Sequence, residues 1–145
     1  MSNLSQLLES GTRPQVVEDL TNFAEKSIAE QSGIAGMALK GAVATAKKVK
    51  SDVVAKAVNA LLPDVLNEME PHWQEFDSSR SDDFGAFLST RSKDVTDSIL
   101  NVADRKADEV NNNTLTKTYK SLRSKAAKIL EPKIPELANI LQRHM

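Results

Sequence analysis

Apolar side chains recur every three or four residues from one end of this chain to the other. Nowhere do they alternate over a strand's length between turn signals, so the pattern predicts helices throughout and no sheet. A short turn or helix over residues 4–9 ends at Gly11. Thr12-Arg13-Pro14-Gln15 then predicts a capping box, the Thr12 hydroxyl accepting from the Gln15 amide and the Gln15 side chain reaching back. Pro14 fits the first turn, where a missing donor costs nothing. Val16, Leu20, Phe23, Ala24 and Ile28 form the stripe of the helix that follows, which stops at Gln31-Ser32-Gly33.

Residues 34–49 are different: Gly36, Ala38, Gly41, Ala42, Ala44 and Ala46 leave few large side chains. Glycine inside a helix costs about 0.5–1 kcal/mol relative to alanine, so close packing is expected to compensate. The expectation is a tightly packed central helix; the alternative is a thin wall beside a cavity, or a segment that moves. Ser51 is the expected cap of the next helix. Its stripe runs through Val54, Val58, Leu61, Leu62, Val65, Leu66, Met69, Trp73 and Phe76 and crosses Pro63 and Pro71, where kinks or restarts are predicted.

The polar loop 77–83 follows, with Asp82 or Asp83 capping the next helix. Phe84, Phe87, Leu88, Val95, Ile99, Val102 and Val110 make that helix's stripe, unbroken or broken near residues 90–92, and Asn111-Asn112-Asn113 closes it. Leu115, Tyr119, Leu122, Ala126, Ile129 and Leu130 mark another helix. Pro132 and Pro135 break it, and Ile134, Leu137, Ala138 and Leu141 mark the last. The expected architecture is an all-α bundle of about six to eight helices in one domain, residues 1–145.

The second half echoes the first. Leu62-Pro63-Asp64-Val65 aligns with Ile134-Pro135-Glu136-Leu137, Asn67 with Asn139, Met69 with Leu141 and His72 with His144. Upstream, Thr12-Arg13 aligns with Thr90-Arg91. One residue of slippage then brings Leu20, Phe23, Ala24, Glu25 and Lys26 against Ile99, Val102, Ala103, Asp104 and Arg105. Such an echo predicts two related helical halves, residues 1–76 and 84–145, around a pseudo-twofold axis, joined by the loop 77–83.

Charge adds a second pattern. The net charge is −1, yet residues 31–62 have five basic and one acidic side chain, residues 63–90 one and seven, and residues 114–145 seven and two. Blocks of opposite sign complement one another in a fold; a basic face can also bind an anionic partner. Without cysteine there is no disulfide framework, thiolate catalysis or cysteine-ligated metal. The N-terminus lacks the features of a secretory leader, and no apolar run reaches the ~18–20 residues of a membrane span. A soluble, cytoplasmic protein is expected.

Candidate chemistry is sparse. Glu68, His72 and Glu75, at i, i+4 and i+7, place three O/N ligands on one side of a helix, as a metal site would need. That side lies away from the Leu62/Leu66/Met69/Trp73 stripe and is expected to face solvent. His144, near the chain end, is expected to fray. No nucleophile elbow, dinucleotide fingerprint, phosphate loop or calcium loop is present, so no catalytic residue or cofactor is assigned and an enzyme is not expected. Met69, Trp73 and Phe76, with Gly36 and Gly41, are candidates to line an apolar pocket; ordinary core packing is the alternative. Lys40, Lys47 and Lys48 in the first half, and Lys117, Lys120, Arg123 and Lys125 in the second, are candidate anion-binding faces in corresponding regions. Tyr119, in an apolar stripe, is assigned to the core.

The stretch SGIAGMALKGAVATAKKVKSDVVAKAVNALLPDVLNEMEPHWQEF carries Ser32-Gly33, Lys40-Gly41, Lys47-Lys48, Leu62-Pro63 and Pro71 with Trp73. Asp83-Phe84 and Ser121-Leu122-Arg123 follow. On these residues, and over most of its length, the chain resembles a family of small, uncharacterised actinobacterial proteins. The resemblance implies a bacterial, cytoplasmic source and no mechanism. The expected function is a non-enzymatic helical interaction module acting through protein partners or self-association. The alternatives are a carrier of an apolar small molecule or lipid between helices, and electrostatic binding of nucleic acid or anionic membrane.

Overall fold

The computed structural model describes residues 3–109 and 113–145, the side chains of Ala35, Thr114, Leu115 and Thr118 excepted. Every regular element among them is helical: α1 Arg13–Ala29, α2 Gly33–Val49, α3 Val53–Ser78, α4 Phe84–Ser89, α5 Ser92–Glu109, α6 Asn113–Leu130 and α7 Ile134–Arg143. A 3₁₀ turn, Leu4–Leu8, precedes α1, and another, Glu131–Lys133, joins α6 to α7. Of the two alternatives for residues 84–110, the chain takes the break, between α4 and α5. Predicted roles for Val110, Asn111, Asn112 and the Leu115 side chain lie outside the described residues.

Cap geometry divides the predicted helix starts. Asp83 has an extended backbone, and its Oδ1 accepts from the Ala86 N–H at 3.1 Å, as a capping aspartate should. Thr12 does not form the predicted capping box. Its backbone is already helical, at φ −111° and ψ −39°, and its side chain makes no capping bond. α3 starts one residue later than predicted, after Asp52 rather than Ser51, and Asp52 pairs with Lys56 at 3.6 Å.

Neither internal proline restarts α3, which runs unbroken for 26 residues. Pro63 has no N–H, so the carbonyl one turn back, on Asn59, loses its helical donor. Arg13 of α1 replaces it. Its Nη2 donates to the Asn59 carbonyl at 3.0 Å and its Nε to the Asn59 side-chain oxygen at 2.8 Å. Pro71 frees the carbonyl of Asn67, an exposed residue that water can reach.

Large side chains decide what occupies the centre, because burial stabilises in proportion to apolar area. Leu62, Leu66, Met69, Trp73 and Phe76 of α3 meet Ile134, Leu137, Ala138, Ile140 and Leu141 of α7, with Phe84 and Leu88 of α4, Val16 and Leu20 of α1, Val95 of α5 and Leu4 and Leu7 of the first turn. Trp73, Phe76 and Phe84 touch mutually, with ring centroids 5.0–5.2 Å apart and the Trp73–Phe84 pair edge-on. The short α4 is held by side chains of α7: Phe84 N–H donates to Gln142 Oε1 at 2.9 Å and Gly85 N–H to Asn139 Oδ1 at 3.2 Å.

The expectation of a tightly packed central helix over residues 34–49 is not met. Among the described residues, α2 gives no side chain to the core cluster, and Ile34, Met37 and Val49 are 90%, 73% and 85% exposed. Gly36 is buried, but a methyl there would strike Gln31, in the turn just before the helix; at Gly41 it would meet open space. A helix of small residues has too little apolar area to compete with α3 and α7 for the centre. α6 likewise sits outside, its described side chains half-buried or exposed.

Contacts between elements repeat in the order of the sequence echo. The first turn packs on α3 as α4 packs on α7. α1 packs on α2 and α3, as α5 packs on α6 and on α7 with its preceding turn. Contacts across the halves match as well: α3 lies on α5 and α7 on α1, while α2 meets α6. Aligned positions Leu62 and Ile134, and Met69 and Leu141, are all buried. The aligned prolines differ, Pro63 lying inside α3 and Pro135 in the first turn of α7.

Candidate functional site

On the side carrying Glu68, His72 and Glu75, Glu75 faces solvent as predicted, whereas Glu68 and His72 are partly covered. Arg105 Nη2 lies 3.3 Å from Glu68 Oε1, and Arg91 pairs with Glu75. His72 is half-buried, and its Nδ1 is buried without a hydrogen-bond partner. Loss of solvent, reinforced by the Arg91 charge, holds the imidazole below its ordinary pKa despite the opposing Glu75 and Asp94. Both carboxylates are committed to arginines, and no group of three or more His, Asp or Glu side chains among the described residues is placed to hold a metal ion. His144 is not frayed: its Nε2 lies 2.6 Å from Asp19 Oδ2, tying the end of α7 to α1.

The candidate apolar-pocket residues are separated. Met69, Trp73 and Phe76 are 0%, 4% and 5% exposed within the packed core, whereas Gly36 and Gly41 lie on the outer α2. Trp73 and Phe76 pack there against each other and against Phe84. An apolar groove of about 530 Å³ lies elsewhere, between α3, α5 and α6. Ala57, Ala60, Leu61, Ala103 and Ala107 line it, with Lys106, Glu109, Thr116 and Tyr119. Its walls are alanines, too small to close the space between helices. A run of alanines at helical spacing was the available sequence signal, and it pointed to α3 and α5 as much as to α2.

The basic faces, by contrast, are brought together. α2 carries Lys40, Lys47 and Lys48, α6 carries Lys117, Lys120, Arg123, Lys125 and Lys128, and neither helix has an acidic residue. The two helices touch each other on the outside of the bundle. Two of the cations are committed inward: Lys47 Nζ is 2.6 Å from Glu25 Oε1, and Arg123 Nε is 2.9 Å from Asp104 Oδ1. Lys40, Lys48, Lys117, Lys120 and Lys128 are exposed.

Tyr119 belongs to this layer's inner side rather than to the core. Its hydroxyl donates to Asp104 Oδ1 at 2.6 Å. The Arg123 hydrogen bond holds the Asp104 carboxyl below its usual pKa, while burial first and then Asp104 push the Tyr119 phenol up. This Asp104–Tyr119–Arg123 set pins α6 to α5 and leaves the outward lysines free to face solvent.

Sequence reasoning missed the exposed apolar residues of α2. The signal was present: Ile34, Met37 and Val49 do not share one face with Leu39 and Val43, so no single packing partner could cover them all.

The model of a family described as "Family of unknown function (DUF6918)" matches residues 4–145. No curated protein and no solved structure matches.

Proposed function

The chain belongs to this family of unknown function, and from that premise we propose a non-catalytic helical module that docks onto an acidic partner surface through α2 and α6. One observation carries the reading: two touching outer helices hold eight cations and no anion in a chain of net charge −1. Clustering of one sign raises the local potential well above what net charge suggests. The pairing of α2 with α6 also fits the reading of residues 1–76 and 84–145 as two related halves, since these helices are counterparts in the echo. The bacterial, cytoplasmic setting is part of the same reading and rests on the resemblance described above.

Retention on a heparin matrix tests the docking layer. The wild-type protein should be held at low ionic strength and released by salt. A variant with Lys48→Glu, Lys117→Glu and Lys120→Glu should flow through. Wild-type protein that also flows through at low salt would remove the reading.

The groove favours a second reading, a carrier of an apolar ligand, because its size falls in the range of ligand pockets. Native mass spectra of gently purified protein would then show a small mass lost on denaturation; bare protein would count against it.

A further inference from the structure

We propose that the acidic surface is an anionic lipid bilayer, with α2 lying in its headgroup layer. This rests on the docking reading above and adds the identity of the partner. At 100° per residue, Ile34, Met37, Ala38, Gly41 and Ala44 share one face of α2, and all are exposed. Lys40 borders that face, and Lys48 stands on its line at the C-terminal end. An outward apolar stripe with one lysine at its edge and another at its end suits a helix that lies in a membrane interface, the lysine stems reaching up to the headgroups. No helix among the described residues is long and apolar enough to cross the membrane, so the contact is peripheral.

Other partners fit less of what the surface offers. Nucleic acid supplies phosphates but nothing for Ile34 and Met37, and the single tyrosine is tied to Asp104 rather than presented as a stacking platform. A second copy set face to face on α2 would bring Lys40 and Lys48 against their equivalents on a helix with no acidic residue. A bilayer with anionic lipid satisfies both features, lysines at the headgroups and Ile34 and Met37 below them. Because few large side chains enter, charge and insertion are both required, and binding is reversible.

Cosedimentation with vesicles of phosphatidylcholine alone, and of phosphatidylcholine mixed with phosphatidylserine, tests this on the intact chain. The protein should bind only the mixed vesicles. Each outward lysine replaced by glutamine should weaken partitioning roughly fivefold. Ile34→Ser with Met37→Ser should weaken it roughly tenfold or more while leaving retention on heparin unchanged. As the chain lacks cysteine, Met37→Cys can carry a single environment-sensitive dye, whose emission should shift to the blue on mixed vesicles. Circular dichroism checks that each variant keeps its helices.

Heparin retention without vesicle binding would overturn the bilayer and leave the docking layer standing. Failure of both would remove the two together. Vesicle binding with no dye shift and no loss in the serine variant would overturn the inserted face. Tighter binding to DNA than to mixed vesicles would assign the layer to nucleic acid instead. Self-association lost in the serine variant would assign the face to a second copy.

Discussion

At the junction of α4 and α7, a methyl group on Gly85 would run into the Pro135 carbonyl and the Asn139 side chain, both at 2.7 Å; on α2, a methyl on Gly41 would meet nothing within 4 Å. Both glycines sit inside helices. One is there because two backbones approach closely, and the other has no packing reason. The same contrast separates the regions around them. Near Gly85, aromatic rings interlock and side chains of α7 hold the N–H groups of α4. Around Gly41, a helix of small residues lies on the outside with Ile34, Met37 and Val49 in solvent. Packing density therefore falls from the α3–α4–α7 core to the α2–α6 layer, and a proposed docking surface sits at the loose end, where moving or covering a helix disturbs least.

The sharpest way to break this comparison is at the dense end. Phe84→Ala removes a fully buried ring that touches Trp73 and Phe76, and denaturant unfolding should show a loss of about 3–5 kcal/mol. A similar loss from Ile34→Ala would mean that α2 is packed after all.

The glycines give a paired test. Gly85→Ala forces a backbone shift and should cost about 1–3 kcal/mol. Gly41→Ala, in open space, should stabilise by about 0.5–1 kcal/mol through helix propensity alone. Equal effects at the two positions, read from thermal unfolding, would erase the distinction.

Between the two regions lies the Arg13–Asn59 contact, and Arg13→Ala should cost about 1 kcal/mol. In a Pro63→Ala background the Asn59 carbonyl regains its own helical donor. The Arg13 effect should then shrink, which a double-mutant cycle measures. An undiminished effect would show that Arg13 does not serve the proline gap.

The smallest effect concerns His72. Its folded pKa is lowered, so the folded state favours the neutral ring, whereas the unfolded chain titrates near the ordinary 6.5. The unfolded state then binds more protons in this window, and stability rises with pH. This contribution is full above the unfolded value and is lost as pH falls from there through the folded one. Comparing denaturant midpoints at about pH 7 and about pH 5, wild type should lose more than His72→Leu. Identical losses would show that burial of the ring does not matter to stability.

Much of the fold was legible because helical spacing of large apolar residues is a local signal. The buried Leu62, Leu66, Met69, Trp73 and Phe76 all came from one predicted stripe, as did Ile134, Leu137, Ala138 and Leu141. The Asp83 cap was legible for the same reason. The candidate site was legible only in its parts. Both basic stretches could be read, but not that α2 and α6 touch, since that depends on how the halves cross. On the side of Glu68, His72 and Glu75, the exposure of Glu75 was legible but the partial burial of His72 was not, because helical angle tells which residues share a side, and not which neighbour covers it.

By itself, then, the sequence determined that the chain is helical, where large side chains form stripes, and where charge of one sign accumulates, because each follows from spacing along a single helix. Tertiary structure decided which stripes won the centre. It sent the glycine- and alanine-rich helix to the outside, answered Pro63 with a guanidinium from another helix, and joined two distant basic segments into one layer. Those outcomes depend on competition between helices for a limited interior, which is settled by total buried area and close fit between surfaces far apart in the chain.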